Sequence, residues 1–143
     1  IVGDLDEHVP LDIIQTGSGT STTMNANAVI ANRACQLLGA DHGRRTVHPT
    51  DHLNYGQSSN DVIPTVMHLA AAVEIRESLL PALNDLSKTL GAKSRQFDDI
   101  VTIARTHLQD ATPIRLGQSF GGYFLPVTQA ATELDRALDG LCE

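Results

Sequence analysis

The sequence predicts an all-α fold, a bundle of long helices joined by irregular ligand-binding loops. Apolar residues recur at spacings of three and four over several long stretches, which puts them on one face of a helix and not on alternate faces of a strand. Aromatics are scarce, with two Tyr, three Phe and no Trp in 143 residues, so the 41% hydrophobic share rests on aliphatic side chains that let helices approach closely. Clusters of glycine and small polar residues separate the periodic stretches and mark loops.

Taken in order, residues 1–14 are mixed and read as irregular. Gln15-Thr16-Gly17-Ser18-Gly19-Thr20-Ser21 is a loop in which glycine lets backbone approach a ligand and the hydroxyls can bond to it. A helix over about 21–38 follows, with Met24, Ala28, Ala31, Ala34 and Leu38 on one face and Gly39 as its stop. Residues 40–57 hold a second polar loop. Asn60 or Asp61 caps the next helix, with Pro64 in its first turn, and Val62, Val66, Leu69, Val73 and Leu80 carry its period to about residue 80. Pro81 opens a third helix, about 81–97, with Leu83, Leu86, Leu90 and Phe97 as its apolar face. Ile100–Ala104 is a short β-prone run leading into a loop from Thr106 to Pro113. Pro113 opens the last helix, where Phe120, Tyr123, Val127, Ala130, Leu134, Ala137 and Leu141 form a heptad seam and Pro126 is expected to introduce a kink. Seams of this length outlast what one chain can cover and predict association with other copies.

Charge and composition exclude several classes. A net charge of −7 argues against nucleic acid, whose binding rests on Lys and Arg, and few aromatics argue against a base-stacking platform. No apolar run approaches the roughly 20 residues of a membrane span, and no signal-peptide pattern is visible. Cys35 and Cys142 form no CxxC pair, which points to a reducing compartment, hence a cytoplasmic location, or mitochondrial in a eukaryote. Cys35 reads as a small buried hydrophobe. His42, His48 and His52 give no metal-ligand spacing, so no metal and no cofactor are expected. The Gly-Ser loop lacks a Walker lysine, and no nucleophile elbow is present. The chain opens on Ile1 and stops within a helical pattern, so both ends read as cut.

The chemistry concentrates in Gln57-Ser58-Ser59-Asn60-Asp61 and in Thr106–Pro113, each just before a helical pattern. A helix start offers unpaired N–H groups and a partial positive charge, so two such starts in an acidic chain predict a pocket for a small carboxylate. Ser58, Ser59 and Asn60 would cradle it, although a plain N-cap uses the same residues. His107 is the proton-transfer candidate, because an imidazole works near neutral pH; a structural loop histidine is the plainer alternative. Ser18-Gly19-Thr20 is a weaker candidate of the same kind. Arg45, His48, Thr50 and Asp51 form a mixed loop that solvation alone would explain.

Three stretches, QTGSGTSTTMNANAVIANRA, HPTDHLNYGQSSNDVIPT and RTHLQDATPIRLGQSFGGY, resemble in register the fumarase/aspartase superfamily, the class II fumarate hydratases most closely. The resemblance implies a homotetramer with long central helices and active sites built from three subunits. It implies trans addition or elimination on a dicarboxylate, in which a base removes a Cβ proton and the carbanion is held as its doubly charged carboxylate form. Ser18, Gly19, Thr20, Ser58, Ser59, Asn60 and Thr106 would bind substrate, His107 would be catalytic through a water, and Arg45, His48, Pro49, Thr50 and Asp51 would form a secondary anion site. Aspartase-like members usually carry Gln at the position of His107, which favours hydration of fumarate to L-malate. Thr50 departs from the usual HPND, Ala28 and Ser119 stand where acids are usual, and the third signature, GSSxMPxKxN with its serine base and lysine, does not occur in these residues. On this reading 1–57 is the C-terminal part of the N-terminal domain and 58–143 the first part of the central bundle. A sister ammonia lyase and a non-catalytic helical association segment are the alternatives.

Overall fold

Helix dominates the described residues, 5–40 and 46–141 of a computed structural model. Its elements are α1 (Thr20–Leu37), α2 (Ser59–Glu74), α3 (Leu80–Gln96), β1 (Val101–Thr106), β2 (Gln109–Arg115) and α4 (Leu116–Leu141), with a 3-10 turn at Asp6–His8 and π-helical turns at Pro49–Leu53 and Ile75–Leu79. The all-α reading holds, with a two-stranded ribbon added. The chain divides into two compact units, Ile1–Met67 and His68–Glu143.

In the first unit α1 begins at Gly19, whose φ of 68° is left-handed and whose lack of a side chain leaves the first turn without a side-chain cap. Only glycine fits there. A Cβ would lie 2.6 Å from Ile63 Cγ2 and 2.9 Å from Ile63 Cβ. The buried face of α1 is Thr23, Asn27 and Ala31, an i, i+4, i+8 stripe of small and polar residues. Of the expected apolar face only Ala31 is buried, and Leu38 is 66% exposed. The polar stripe wins because Asn27 Nδ2 donates to Asn54 Oδ1 (3.1 Å), tying α1 to the following loop. The same loop is held again where Val47 N–H donates to Cys35 Sγ (3.3 Å). Cys35 is half-buried, not the enclosed hydrophobe expected.

α2 starts at Ser59, earlier than expected, because Ser58 is the cap: its Oγ accepts from Asn60 N–H (3.3 Å), and its carbonyl from the Asp61 and Val62 N–H groups. Pro64 therefore falls in the second turn and leaves the Asn60 carbonyl without its helical donor.

In the second unit Pro81 falls in the first turn of α3, as expected, but no loop precedes it. A π-helical turn, in which Leu80 N–H reaches back to Ile75 O, widens the backbone just ahead of the proline ring, and helix continues on both sides. α3 and α4 then pack antiparallel. Ser94 Oγ donates to Gly117 O (2.8 Å), Gly91 faces the Phe124 ring, and Ser87 Oγ meets Thr128 Oγ1 (2.7 Å). The enclosed positions of α4 are Gly117, Ala131 and Leu138, so the heptad seam is rotated by about one residue from the expected one: Tyr123 is 65% exposed. Small residues set this register. A Cβ on Gly117 would meet the Ser94 carbonyl oxygen and lie 2.8 Å from Asp98 Cα. Phe97 and Phe120 close the end of the pair, ring centroids 5.4 Å apart and tilted by 57°.

The expected loop from Thr106 to Pro113 is instead the turn and second strand of the ribbon. Val101 pairs with Arg115, Thr102 with Ile114 and Ile103 with Pro113; after a register shift Arg105 pairs with Asp110 and Thr106 with Gln109. Ala104 is thus opposed by Ala111 and Thr112, a bulge. Pro113 is tolerated because a two-stranded ribbon has open edges on both sides. Helix begins only after Arg115, whose N–H is taken by Gln118 Oε1 (2.8 Å), half of a capping box.

Candidate functional site

The structure joins two of the sequence clusters. Thr16 Oγ1 lies 3.3 Å from Ser18 Oγ, Ser18 Oγ 3.1 Å from Thr20 Oγ1, and Thr20 Oγ1 3.1 Å from Ser59 Oγ. This hydroxyl series ties the Gly-Ser loop to the start of α2 across 39 residues of sequence. A hydroxyl has one proton and two lone pairs. Four hydroxyls joined by three bonds keep one proton free to donate. Around them are Gly19, the uncapped first turn of α1, and Ser58 with Asn60. The members are exposed or half-buried, so a ligand can reach them. Hydroxyls and helix N–H groups at one place can hold an oxyanion.

His48, Pro49, Thr50 and Asp51 form the start of the Pro49–Leu53 turn, and Arg45 lies outside the described residues. His48 Nδ1 accepts from Thr50 N–H (3.3 Å) and Asp51 N–H (3.2 Å), while His48 N–H donates to His52 Nδ1 (2.8 Å). Asp51 Oδ2 also approaches His48 Nδ1 at 3.3 Å. A nitrogen that accepts two N–H bonds carries its lone pair and no proton, so this contact is not an ion pair while the turn is capped. The backbone bonds are the better account of the geometry, since both N–H groups point at the ring.

Thr106 and His107 belong to the second unit, exposed at the tip of the ribbon. His107 (φ 51°) and Leu108 (φ 62°) are the two residues of the loop. Positive φ at both defines a type I′ turn, whose usual occupants are Asn-Gly. Here a histidine and a leucine hold it, at about 1–2 kcal/mol of strain each. Backbone strain of this kind persists only where the surrounding structure holds it. Among the described residues no side chain hydrogen-bonds to the imidazole, which leaves both ring nitrogens free for a ligand or a water.

A groove of about 380 Å³ lies between the Asp6–His8 turn and α1, lined by His8, Asn25, Ala28, Asn32, Arg33 and Gln36. None of the sequence-derived site residues lines it. Asn25 Oδ1 is buried without a partner. Among the described residues no three His, Cys, Asp or Glu side chains come together to hold a metal ion, and no helix is long and apolar enough to cross a membrane.

Sequence reasoning named Thr16 only as one of the loop hydroxyls, and it missed Asn27 as the tie between α1 and the loop before α2. Asn27 carried one signal, a polar residue on the helix face that also holds Thr23 and Ala31.

A family model described as a lyase matches residues 1–142. The chain is 52% identical over 143 residues to the class II fumarate hydratase of Halobacterium salinarum, covering 100% of this chain and 30% of that protein. It is 58% identical over 134 residues to mitochondrial fumarate hydratase 1 of Arabidopsis thaliana, covering 94% of this chain and 27% of that protein. The crystal structure of class II fumarase from Schistosoma mansoni matches with a TM-score of 0.88 at 45% identity, over 96% of this chain and 29% of that one. Fumarate lyase:delta crystallin from Brucella melitensis matches with a TM-score of 0.87 at 41% identity, over 97% of this chain and 32% of that one. The chain thus spans about 30% of the length of the curated relatives it matches. Matched over nearly its whole length, it belongs to this lyase family, among relatives that are the fumarate hydratases its three motifs resemble.

Proposed function

We propose that the complete protein is a fumarate hydratase, a hydro-lyase that adds water to fumarate to give L-malate and runs the reverse elimination. The observation that carries this reading is the hydroxyl series from Thr16 to Ser59. It gathers hydroxyls and helix N–H groups suited to carboxylate oxygens, in a chain whose relatives bear the name fumarate hydratase.

In this reading Ser18, Gly19, Thr20, Ser58, Ser59 and Asn60, with Thr106, hold the substrate carboxylates. Fixed donors aimed at the carboxylate on which charge develops stabilise the carbanion formed when the Cβ proton leaves. His107 moves a proton through a water. Its exposed tip position gives a water room to sit against either ring nitrogen. The proton-abstracting serine belongs to a signature that these 143 residues do not contain, so the complete protein must supply it. An anion at the secondary site, to which Arg45, Pro49 and Asp51 are also assigned, would use His48 Nε2 and the Thr50 hydroxyl, since the Thr50 and Asp51 N–H groups are already held by His48. The assembly is a homotetramer, 1–57 completes its N-terminal domain and 58–143 begins its central bundle. The place of action is the tricarboxylic acid cycle, in the cytoplasm or, in a eukaryote, the mitochondrion.

The test is turnover by the complete protein, followed through the ultraviolet absorbance of fumarate, with aspartate as the competing substrate. Malate formation without aspartate deamination is expected. His107→Asn, which suits a left-handed φ, should lower kcat by on the order of 10²–10⁴-fold at an equal or higher melting temperature. Full activity in that variant would remove His107 from the mechanism, and aspartate turnover would move the protein to a sister lyase.

A further inference from the structure

Leu108 shares the two-residue loop with His107, and nothing above gives it a part. It is the only apolar residue between Thr106 and Asp110. It is 95% exposed, and it holds φ 62°, where a branched side chain is strained and glycine would not be. A chain that keeps a leucine here forgoes a relaxed turn and leaves apolar surface in water.

The ribbon explains what such a residue can do. Its strands span six and seven residues, an arm of about 20 Å at roughly 3.3 Å per residue. A two-stranded ribbon is only marginally stable alone, and Val101 (73%) and Ile103 (49%) lie exposed along it. A tilt of about 5° at the base of such an arm carries the tip roughly 2 Å, and about 1 Å of misplacement can cost a catalytic group 10²-fold. A histidine at the end of that arm needs a hold at the tip itself. His107 cannot be both the hold and the proton carrier. We propose that Leu108 is a positioning residue: in the assembled protein its side chain seats in an aliphatic contact, and through the rigid I′ turn it fixes the direction of the His107 imidazole.

This rests on the role of His107 proposed above, and the experiment separates the two. In the complete protein, Leu108→Gly keeps the turn and removes the side chain, Leu108→Asn does the same with a polar residue, and Leu108→Met keeps an apolar one. The expected result is a fall in kcat of about 10–100-fold for the Gly and Asn variants, little change in KM, an equal or higher melting temperature for Leu108→Gly, and recovery of most activity in Leu108→Met. A purely local turn role would give the opposite order, because glycine and asparagine suit the turn better than leucine or methionine. Hydrogen exchange supplies a readout that needs no substrate: the His107 and Leu108 amides should be protected in the wild-type assembly and exchange faster in Leu108→Gly. Wild-type kcat in Leu108→Gly, or an unprotected wild-type tip, would overturn the proposal. Wild-type protein that leaves fumarate untouched but protects the tip through Leu108 would refute the assigned activity and not the hold.

Discussion

Gly19→Ala tests the geometry that joins the Gly-Ser loop to α2. Two separate penalties act at this position. Gly19 has φ 68°, so an L side chain there costs about 1–2 kcal/mol. The new methyl would also sit 2.6 Å from Ile63 Cγ2 and 2.7 Å from Cγ1. Relieving that overlap means moving the start of α1 or α2, and overpacking of this kind costs about 1–3 kcal/mol. The sum, about 2–5 kcal/mol, is a large share of the roughly 5–15 kcal/mol that holds a typical domain together. The molecule supplies its own controls. Gly56 has φ 71° with nothing within 4 Å of an added Cβ, so Gly56→Ala carries the backbone term alone. Gly17 has neither a positive φ nor a neighbour, so Gly17→Ala should be neutral or up to about 1 kcal/mol stabilising. Denaturant midpoints of the complete protein should fall in the order Gly17→Ala, Gly56→Ala, Gly19→Ala. Equal midpoints for Gly19→Ala and Gly56→Ala would refute the contact with Ile63. Equal midpoints for all three would refute the left-handed backbone as well.

Other outcomes follow from single contacts. Gly117→Ala should lower the melting temperature more than Gly122→Ala, because its Cβ meets the Ser94 carbonyl and Asp98 backbone while a Cβ on Gly122 meets nothing within 4 Å. His48→Ala should cost about 0.5–2 kcal/mol by freeing the Thr50 and Asp51 N–H groups, and His48→Asn, whose side-chain oxygen can accept the same bonds, should recover most of it in thermal unfolding. Arg115→Gln should shift stability by less than about 1 kcal/mol in denaturant melts, because the 3.0 Å pair with Asp98 is about half exposed on both sides.

The helices were legible because their period extends over many residues. What the sequence hid was set by small residues and by turns. The seam of α4 follows Gly117, Ala131 and Leu138, and not the bulkier line through Tyr123, because close helix approach needs a position with no side chain in the way. The ribbon was half visible: Ile100–Ala104 carried a β signal, but His107-Leu108 carries none of the Asn-Gly chemistry that announces a hairpin. The joining of Ser18 and Thr20 to Ser59 depends on tertiary packing, here the glycine that lets Ile63 approach, which no local pattern encodes.

The change of His107 from a helix start to a hairpin tip alters the electrostatics as well as the shape. A helix N-terminus favours an anion through its dipole and free N–H groups. The starts of α1 and α2 retain that property, but the ribbon tip has no dipole behind it, since the strands of a sheet nearly cancel. The proposed function accordingly assigns anion holding to Ser18, Thr20 and Ser59 and proton movement to His107. Kinetics can separate these two roles. On the proposed function Ser59 is assigned to the carboxylate whose charge does not change in the reaction, so Ser59→Ala removes equal ground- and transition-state binding and should raise KM with kcat little changed. A hydrogen bond to a charged group is worth about 1.5–3 kcal/mol, a rise of roughly 10–100-fold in KM at 1.4 kcal/mol per tenfold. His107→Asn should do the reverse, lowering kcat at a nearly constant KM. If Ser59→Ala instead lowered kcat and left KM alone, the hydroxyl series would be acting on the chemical step, and the division of labour between helix starts and ribbon tip would be wrong.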